Sequence, residues 1–363
     1  MAKLLGIDTG GTYTDAVLVN ADNEIVAAAK SLTTRHDLTS GISSVLDELP
    51  AGSLRDVELV ALSTTLSTNS VVEGRGAPVA VLWPGYSDQQ IDSSGLLDIF
   101  EREMISLLPG GHDALGKQKE ALDESLARKI ISRQMGRVSA FAVSSMFGVR
   151  NPAHELRLRE LIRELSDKPV TCGHELASSL DAPRRALTVA LNARMVPVIH
   201  DLIIAVQKIL AGRKVNAPLM MVKGNGSLIN TQTALAQPVG TVLSGPAASV
   251  VGACALSGVG NAIIADMGGT TTDIAVVSDG QPELGSDGVL IGEWKPMVEA
   301  VRIISIGLGG DSEVRFSGKT GLEVGPRRVV PLSLLGQLYP YTTERLNQQL
   351  QGSPSRGNNR FAL

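Results

Sequence analysis

An eight-residue motif occurs twice in this chain and constrains its fold more than any other feature. It reads Asp8-Thr-Gly-Gly-Thr-Tyr-Thr-Asp15 near the amino terminus and Asp266-Met-Gly-Gly-Thr-Thr-Thr-Asp273 in the last third of the chain. Each copy lies between two short apolar, β-rich stretches, a pattern that predicts a strand, a tight glycine turn and a returning strand. Because the motif recurs, we expect two related halves rather than one lobe.

The residue types in the turn favour contact with a phosphate-bearing ligand. Adjacent glycines bring backbone amides close to a bulky anion, and threonine hydroxyls suit phosphate oxygens. The alternative is a pair of ordinary β-hairpins whose glycines serve only the turn, but the repetition of the whole motif disfavours it. The predicted phosphate-binding residues are Gly10, Gly11, Thr12, Tyr13 and Thr14 in the first copy and Gly268, Gly269, Thr270 and Thr271 in the second.

The leading aspartate of each copy predicts a metal ion. Asp8 and Asp266 stand at strand ends, where we expect them to face the same ligand. A carboxylate beside a polyphosphate is repulsive unless a cation lies between them, and Mg²⁺ is the usual companion of phosphate groups, often held through water. We therefore predict Mg²⁺, bound through water, at these two residues.

Composition restricts the class of protein. A length of 363 residues predicts two domains, and 43% hydrophobic residues with 38 glycines and 3% aromatics describe an α/β protein rich in turns. A formal charge of −4 argues against nucleic acid or an anionic membrane as partner. No run of eighteen apolar residues is present, and Asp8 falls where a signal peptide needs its apolar core, so we expect a cytoplasmic protein.

Hydrophobic periodicity predicts four segments along the chain. We expect a first α/β lobe at residues 1–85, then an inserted α/β subdomain at 86–218 that ends in a long apolar helix with Pro197 inside it. Residues 219–261 return to the first lobe through a strand at 240–243 and a small-residue helix. Residues 262–363 begin the second lobe with the second motif.

Three further groups of residues leave two interpretations open. His112 beside Asp113 is half of a metal site or part of a solvated loop, and the loop is favoured because only adjacent ligands are visible. Cys172 near His174 raises the same question, again without further ligands nearby. The glycines of a later loop, Gly309 and Gly310, either contact nucleotide phosphates or turn a strand.

Taken together, these features resemble a known superfamily and one family within it. Two phosphate hairpins in two α/β halves resemble the ATPase superfamily shared by sugar kinases, heat-shock chaperones and actin. The motifs are most similar to those of the hydantoinase A and 5-oxoprolinase family. The segments that carry this resemblance are Gly6–Asp15, Thr64–Asn69, Asn151–Glu155, Asn225–Leu228, Leu243–Ala253, Asp266–Ile274 and Gly307–Ser312. The resemblance implies two ribonuclease H-like (actin-like ATPase) lobes with an inserted α/β subdomain.

The resemblance also implies an activity, namely ATP-dependent opening of a cyclic amide such as a hydantoin or 5-oxoproline through a phosphorylated amide. It implies ATP and Mg²⁺ as cofactors, with Asp8 and Asp266 as catalytic residues. Substrate would lie near Thr64, Thr65, Thr68 and Asn69, although a helix cap is the plainer interpretation of that set. Expected partners are a hydantoinase B-like subunit and further copies of the chain.

Alternative functions share the same hairpins. A small-molecule or sugar kinase would release a stable phosphorylated product, and some relatives are components of ATP-dependent ketone carboxylases. A nucleotide-gated binding protein, like the chaperones and actin, is a third alternative, but the sequences of the motifs fit it poorly.

Three departures from the family pattern limit what the resemblance implies. Many relatives read His-Gly-Thr-Thr where this chain has Leu62-Ser-Thr-Thr65, and Gly-Gly-Gly-Ser where it has Gly309-Gly-Asp-Ser312. The later glycine-rich element of the family has no counterpart after Ser317. We therefore expect the second lobe to be incomplete and the chain to be the amino-terminal portion of a longer protein.

Overall fold

The structure, a computed structural model, describes residues 2–34, 37–72, 76–285, 288–318, 321–331, 334–336, 339 and 341–351. These residues form two units. The first holds the described residues up to Val251 together with Leu284–Arg302, and the second holds Gly252–Glu283 together with the described residues from Ile303 onward.

Strands and helices alternate along most of the chain. The strands are β1 (Lys3–Thr9), β2 (Tyr13–Asn20), β3 (Ile25–Leu32), β4 (Val57–Thr64), β5 (Val79–Pro84), β6 (Ile105–Leu108), β7 (Ala140–Val143), β8 (Val170–Cys172), β9 (Leu219–Val222), β10 (Leu228–Asn230), β11 (Ala262–Met267), β12 (Thr272–Ser278), β13 (Gln281–Pro282), β14 (Leu284–Gly285), β15 (Ala300–Val301), β16 (Ile303–Ile306), β17 (Ser312–Ser317) and β18 (Gly321–Arg328). The helices are α1 (Leu38–Asp47), α2 (Leu66–Val72), α3 (Asp88–Asp92), α4 (Glu124–Gln134), α5 (Ala153–Leu165), α6 (Gly173–Leu176), α7 (Ala182–Gly212), α8 (Thr231–Ala236), α9 (Ser244–Ser257) and α10 (Tyr341–Gln351).

A six-stranded mixed sheet carries the first motif. Its order is β10-β9-β4-β1-β2-β3, with β1 antiparallel to β2 and parallel to β4. Along β1 the side chains of Leu5, Ile7 and Thr9 are buried while those between them are less so, the alternation of a half-buried strand. The buried side chains of this sheet form one hydrophobic core with α1 and the second half of α7.

A second sheet, of four parallel strands, forms the predicted inserted subdomain. Its order is β6-β5-β7-β8, and every residue of β5 is buried, as expected for a parallel sheet covered on both faces. The first half of α7 contributes to the core on one face, while α4 and α5 contribute to the core on the other.

The long helix α7 runs through Pro197 and joins the cores of both sheets. By length and hydropathy alone it could cross a membrane. Many of its apolar side chains are packed in the interior, among them Ala190 in the core of the parallel sheet and Ile203 in the core of the mixed sheet, both 1% exposed or less. We interpret α7 as the central core helix of the first unit.

The second unit carries the second motif. Strands β11, β12 and β13 form an antiparallel sheet in that order, β16 pairs with β12, and β17 and β18 form a separate hairpin. The packing places residues 284–302 in the first unit, where the Val301 amide bonds the Gly224 carbonyl oxygen, although the predicted boundary assigns them to the second lobe. The four-part division stays a prediction.

One predicted strand is wrong. Residues 240–243 do not form a strand, because the chain makes a 3₁₀ helix over Pro238–Thr241. Hydrogen bonds close it locally, from the Gly240 amide to the Gln237 carbonyl oxygen and from the Thr241 hydroxyl to the Pro238 carbonyl oxygen. The proline at its first turn has a backbone angle that suits a helical start.

Candidate functional site

The first motif forms the predicted hairpin. Its register pairs Asp8 with Asp15, and the Gly10 amide donates to the Tyr13 carbonyl oxygen at 3.0 Å to close the turn. A Cβ added to Gly10 would lie 2.9 Å from that oxygen, so the turn needs glycine there. A Cβ added to Gly11 would meet no heavy atom within 4 Å, so the outer side of the turn has room for a ligand.

The second motif repeats this geometry residue by residue. Asp266 pairs with Asp273, and the Gly268 amide donates to the Thr271 carbonyl oxygen at 2.8 Å. A Cβ added to Gly269 again meets nothing within 4 Å. The predicted strand, glycine turn and returning strand are therefore confirmed in both copies.

The loop with Gly309 and Gly310 packs on the second turn. The Gly310 amide donates to the Gly268 carbonyl oxygen at 3.0 Å, and the Asp311 amide donates to the Gly269 carbonyl oxygen at 2.8 Å. A Cβ added to Gly309 would lie 2.4 Å from the Gly269 oxygen, which explains the glycine. The loop thus supports the turn through its backbone, and its contact with phosphate stays a prediction.

The motif threonines divide between buried and exposed positions. The Thr14 hydroxyl lies 2.9 Å from that of Thr33, and the equivalent Thr272 hydroxyl donates to the Leu308 carbonyl oxygen at 2.7 Å; both residues are buried. Thr12 and Thr270, at the turns, are exposed. The Thr14 hydroxyl is therefore hydrogen-bonded in the interior, and only the backbone of Thr14 is suited to bind phosphate as predicted.

Asp8 is held by a residue that the motif analysis did not include among the site residues. Strand β4 lies beside β1 with Ser63 opposite Asp8, and the Ser63 hydroxyl donates to Asp8 Oδ1 at 2.5 Å. Ser63 is 3% exposed. The only sequence signal was the departure from the family pattern at Leu62-Ser-Thr-Thr65, which did not indicate a partner for Asp8.

The predicted substrate residues follow directly after β4. The Thr64 hydroxyl accepts from the Leu66 amide at 3.1 Å, the Thr65 hydroxyl donates to the Thr9 carbonyl oxygen at 3.3 Å, and the Thr68 hydroxyl accepts from the Leu243 amide at 3.0 Å. Asn69 is exposed. The three hydroxyls thus stabilise the start of α2 and its neighbours, and substrate contact by this set stays a prediction.

The residues around each turn are chemically suited to phosphate groups and a divalent cation. The open outer side of each turn would admit phosphate oxygens to the backbone amides. The Asp8 carboxylate beside the first turn is a hard oxygen ligand of the kind that Mg²⁺ takes. Asp266 is exposed and offers the same chemistry beside the second turn.

Cys172 and His174 meet a third residue, Glu155, with potential ligand atoms within 4.8 Å of one another. The buried Glu155 carboxylate already accepts from the Ser145 amide at 2.8 Å, the His174 amide at 2.9 Å and His174 Nδ1 at 2.7 Å. Burial raises the pKa of the Cys172 thiol, which favours its protonated form. The buried Arg185 donates to the Ser145 carbonyl oxygen at 3.1 Å. Both Glu155 oxygens thus already accept hydrogen bonds within the protein, and metal binding at this group stays a prediction.

His112 and Asp113 have different surroundings. His112 is 1% exposed and its ring lies 4.4 Å from that of His154, whose Nδ1 accepts from the Gly111 amide at 2.9 Å. Burial lowers the pKa of both imidazoles. Asp113 accepts from the amides of Leu115 and Lys117 at 2.9 Å each, which shapes the loop. The favoured interpretation as a solvated loop is therefore wrong for His112.

Comparison with known proteins decides the family. Residues 4–166 match the model of the hydantoinase/oxoprolinase N-terminal region, and residues 185–331 match the model described as hydantoinase/oxoprolinase. The chain belongs to the hydantoinase/oxoprolinase family. The resemblance inferred from the motifs is thereby confirmed.

Curated relatives of this family member include subunits of two kinds of enzyme. Caprolactamase subunit alpha of Pseudomonas jessenii is 28% identical over 350 residues, which cover 89% of this chain and 50% of the relative. Acetophenone carboxylase gamma subunit of Aromatoleum aromaticum is 28% identical over 370 residues, covering 89% and 49%. 5-Oxoprolinase 1 of Arabidopsis thaliana is 23% identical and is covered over 29% of its length. The chain spans about half the length of the first two relatives.

Two solved structures share the fold. The crystal structure of ATP-dependent caprolactamase from Pseudomonas jessenii matches with a TM-score of 0.72 at 26% identity, over 90% of this chain and 51% of that one. Nucleotide-free acetone carboxylase matches with a TM-score of 0.73 at 20% identity, over 93% and 55%. These matches confirm the predicted fold class.

Proposed function

We propose that this chain is the ATP-using part of a hydrolase that opens a cyclic amide of the hydantoin, lactam or 5-oxoproline type. The observation that supports this most is the pair of glycine hairpins of identical register, each with an aspartate beside an open turn. Relatives named caprolactamase and 5-oxoprolinase indicate the substrate class. That two of the relatives are named as subunits supports a partner subunit, which we propose is hydantoinase B-like.

The chemistry explains why a cyclic amidase would need such hairpins. An amide carbon is a poor electrophile, and phosphorylation of the amide oxygen makes this carbon open to attack by water. The ring C–N bond then breaks as the nitrogen takes a proton, which leaves an acyl phosphate. A second water hydrolyses the acyl phosphate to the acid and inorganic phosphate. Bound Mg-ATP would supply the γ-phosphoryl group, and its Mg²⁺ would offset the negative charge of the phosphates. The protein's task is then positioning and electrostatic stabilisation. The Gly10 and Gly268 amides already close the turns on Tyr13 and Thr271. We therefore assign the amides of Gly11, Thr12, Gly269 and Thr270, with the hydroxyls of Thr12 and Thr270, to the phosphates. Asp8 and Asp266 are assigned to the metal through water.

A substrate panel tests this function on the full natural protein with any partner subunit. ATP hydrolysis is measured with hydantoins, 5-oxoproline, lactams and sugars, and the organic products are identified by mass spectrometry. We expect one cyclic amide to stimulate ATP hydrolysis and to yield its ring-opened acid. Stimulation by a sugar with a stable phosphorylated product and no ring opening would identify a kinase instead.

A ketone carboxylase subunit is the second candidate. It is favoured by the acetophenone carboxylase gamma subunit, which matches this chain at the same identity and over the same share as caprolactamase subunit alpha. A ketone carboxylase would use ATP to join bicarbonate to a ketone. Incorporation of ¹³C-bicarbonate into a keto acid would therefore decide for it, and bicarbonate-independent ring opening would decide against it.

A further inference from the structure

We propose that Ser63 is the positioning residue for Asp8, and that it acts together with the start of α9. This inference rests on the proposed function, in which Asp8 serves the phosphate turn. It adds a residue that neither the motif nor the family comparison assigns to the site.

The sheet register brings the serine to the carboxylate. Parallel pairing of β1 with β4 sets Asp8 beside Ser63 and Thr9 beside Thr64. The Ser63 hydroxyl is 2.5 Å from Asp8 Oδ1, and the serine is 3% exposed. A buried hydroxyl that donates to a carboxylate makes a short, charge-assisted bond, so it restrains the carboxylate more than a surface contact would.

The first turn of α9 lies close to the same carboxylate oxygen. The Ser244 hydroxyl accepts from the Thr64 amide and donates to the Thr64 carbonyl oxygen, both at 3.1 Å, which attaches the start of α9 to the end of β4. A Cβ added to the next residue, Gly245, would lie 3.5 Å from Asp8 Oδ1. Oδ1 therefore contacts the Ser63 hydroxyl and lies near the start of α9.

The second oxygen is thereby directed towards the turn. Asp8 Oδ2 lies 4.0 Å from the position of a Cβ added to Gly10, beside the backbone that we assign to phosphate. Among the described residues, no strand pairs with β11 on the side where β4 lies beside β1. Ser305 lies opposite the last aspartate of the second motif and bonds Asp273. Within the part of the chain that the structure describes, the two leading aspartates thus differ in their surroundings.

Four variants test this inference on the full natural protein with any partner subunit. Ser63→Ala removes the donor, Ser63→Thr keeps a hydroxyl, and Ser67→Ala is the matched control, because the Ser67 hydroxyl is equally buried but bonds Thr241 at 2.7 Å. The fourth is the double variant of Ser63→Ala with Asp8→Asn, which is compared with the single variant Asp8→Asn. We measure kcat and KM for ATP hydrolysis, Mg-ATP binding by calorimetry, and Tm.

Ser63→Ala is expected to lower kcat by about 10- to 100-fold with little change in KM, the scale of a misplaced catalytic group. Ser63→Thr should recover most of kcat, and Ser67→Ala should change neither constant. In the Asp8→Asn background, Ser63→Ala should have no further effect, because its action passes through the carboxylate.

The outcomes separate this inference from the proposed function. A wild-type protein that neither binds nor hydrolyses Mg-ATP would overturn both. Normal turnover in the wild type with equal kcat in Ser63→Ala and Ser67→Ala would overturn the positioning role alone. A Tm decrease in Ser63→Ala without a kcat effect would likewise assign the serine to stability only.

Discussion

At the scale of single residues, Asp8 is the side chain on which the proposed chemistry most depends. Asp8→Asn keeps the shape and can still accept from Ser63, but it removes the charge that would hold the metal. We expect kcat for Mg-ATP hydrolysis to fall by about 10²- to 10³-fold, as when one preorganised electrostatic group is lost. Steady-state kinetics measures the loss, and an unchanged Tm shows that the fold persists. Unchanged turnover would refute the assigned role.

Gly309 supplies a second prediction at this scale. Because an added Cβ would lie 2.4 Å from the Gly269 carbonyl oxygen, Gly309→Ala must displace the second turn. We expect a loss of about 1–3 kcal/mol in the free energy of unfolding, measured by denaturant titration. Gly307→Ala is the control, since a Cβ there meets nothing within 4 Å. Equal stability of the two variants would contradict the role of the loop as backbone support.

The turn residues were predictable from the sequence, and their partners were not. The motif indicates a glycine turn, and the contact that requires glycine at Gly10 is to the Tyr13 carbonyl oxygen three residues later, which is a local property. The bond from Ser63 to Asp8 depends on the register of two strands more than fifty residues apart, and no local pattern sets that register. The burial of the Thr14 hydroxyl was missed for the same reason.

At the scale of elements, the Glu155 network joins α5 to the end of β8. The carboxylate is fully buried, and its oxygens accept hydrogen bonds from Ser145 and His174. Glu155→Gln replaces one of these acceptors by an NH₂ group, so a buried donor loses its partner. We expect a loss of about 2–4 kcal/mol in the free energy of unfolding. Glu160→Gln on the same helix, where the side chain is 62% exposed, should cost less than about 1 kcal/mol. Chemical denaturation compares them, and equal losses would contradict the network.

The pair formed by His112, which follows β6, and His154, in α5, predicts a pH dependence of stability. His154 is neutral in the fold, because burial lowers its pKa below the usual 6.5 and its Nδ1 accepts a backbone amide. As the pH falls below about 6.5, the His154 imidazole binds a proton in the unfolded chain but not in the folded chain, so the free energy of unfolding decreases. We expect the free energy of unfolding between pH 7 and 5 to depend less on pH in His154→Gln. His200→Gln, at a side chain that is 56% exposed, is the control. If stability depends on pH as strongly in His154→Gln as in His200→Gln, the prediction is contradicted.

Helices and strands with a clear apolar pattern were predicted correctly, whereas a short apolar run next to a proline was not. The long apolar pattern of α7 and the apolar, β-rich stretch of β1 both indicated the observed elements. The short apolar run at residues 240–243 was read as a strand, but Pro238 and local hydrogen bonds made a 3₁₀ helix. Short apolar runs do not distinguish a strand from a helical turn by periodicity alone.

At the scale of the whole molecule, α7 makes the two sheets of the first unit one cooperative body. Its first half contributes to the core with Trp83, and its second half contributes Ile199 to the core of the mixed sheet. We predict that Ile199→Ala, which removes a fully buried side chain, lowers the free energy of unfolding by about 2–5 kcal/mol. Ile204→Ala, at a residue 37% exposed on the same helix, should cost much less.

The decisive measurement is whether the distant core responds equally. Trp83 is buried in the core of the parallel sheet and Trp294 packs against that core, so tryptophan fluorescence reports on the region that Ile199 does not touch. If α7 couples the cores, Ile199→Ala shifts the fluorescence transition towards lower denaturant as far as it shifts the circular dichroism transition. An unmoved fluorescence transition would show that the parallel sheet unfolds independently, and the inserted subdomain would then be a separate folding unit.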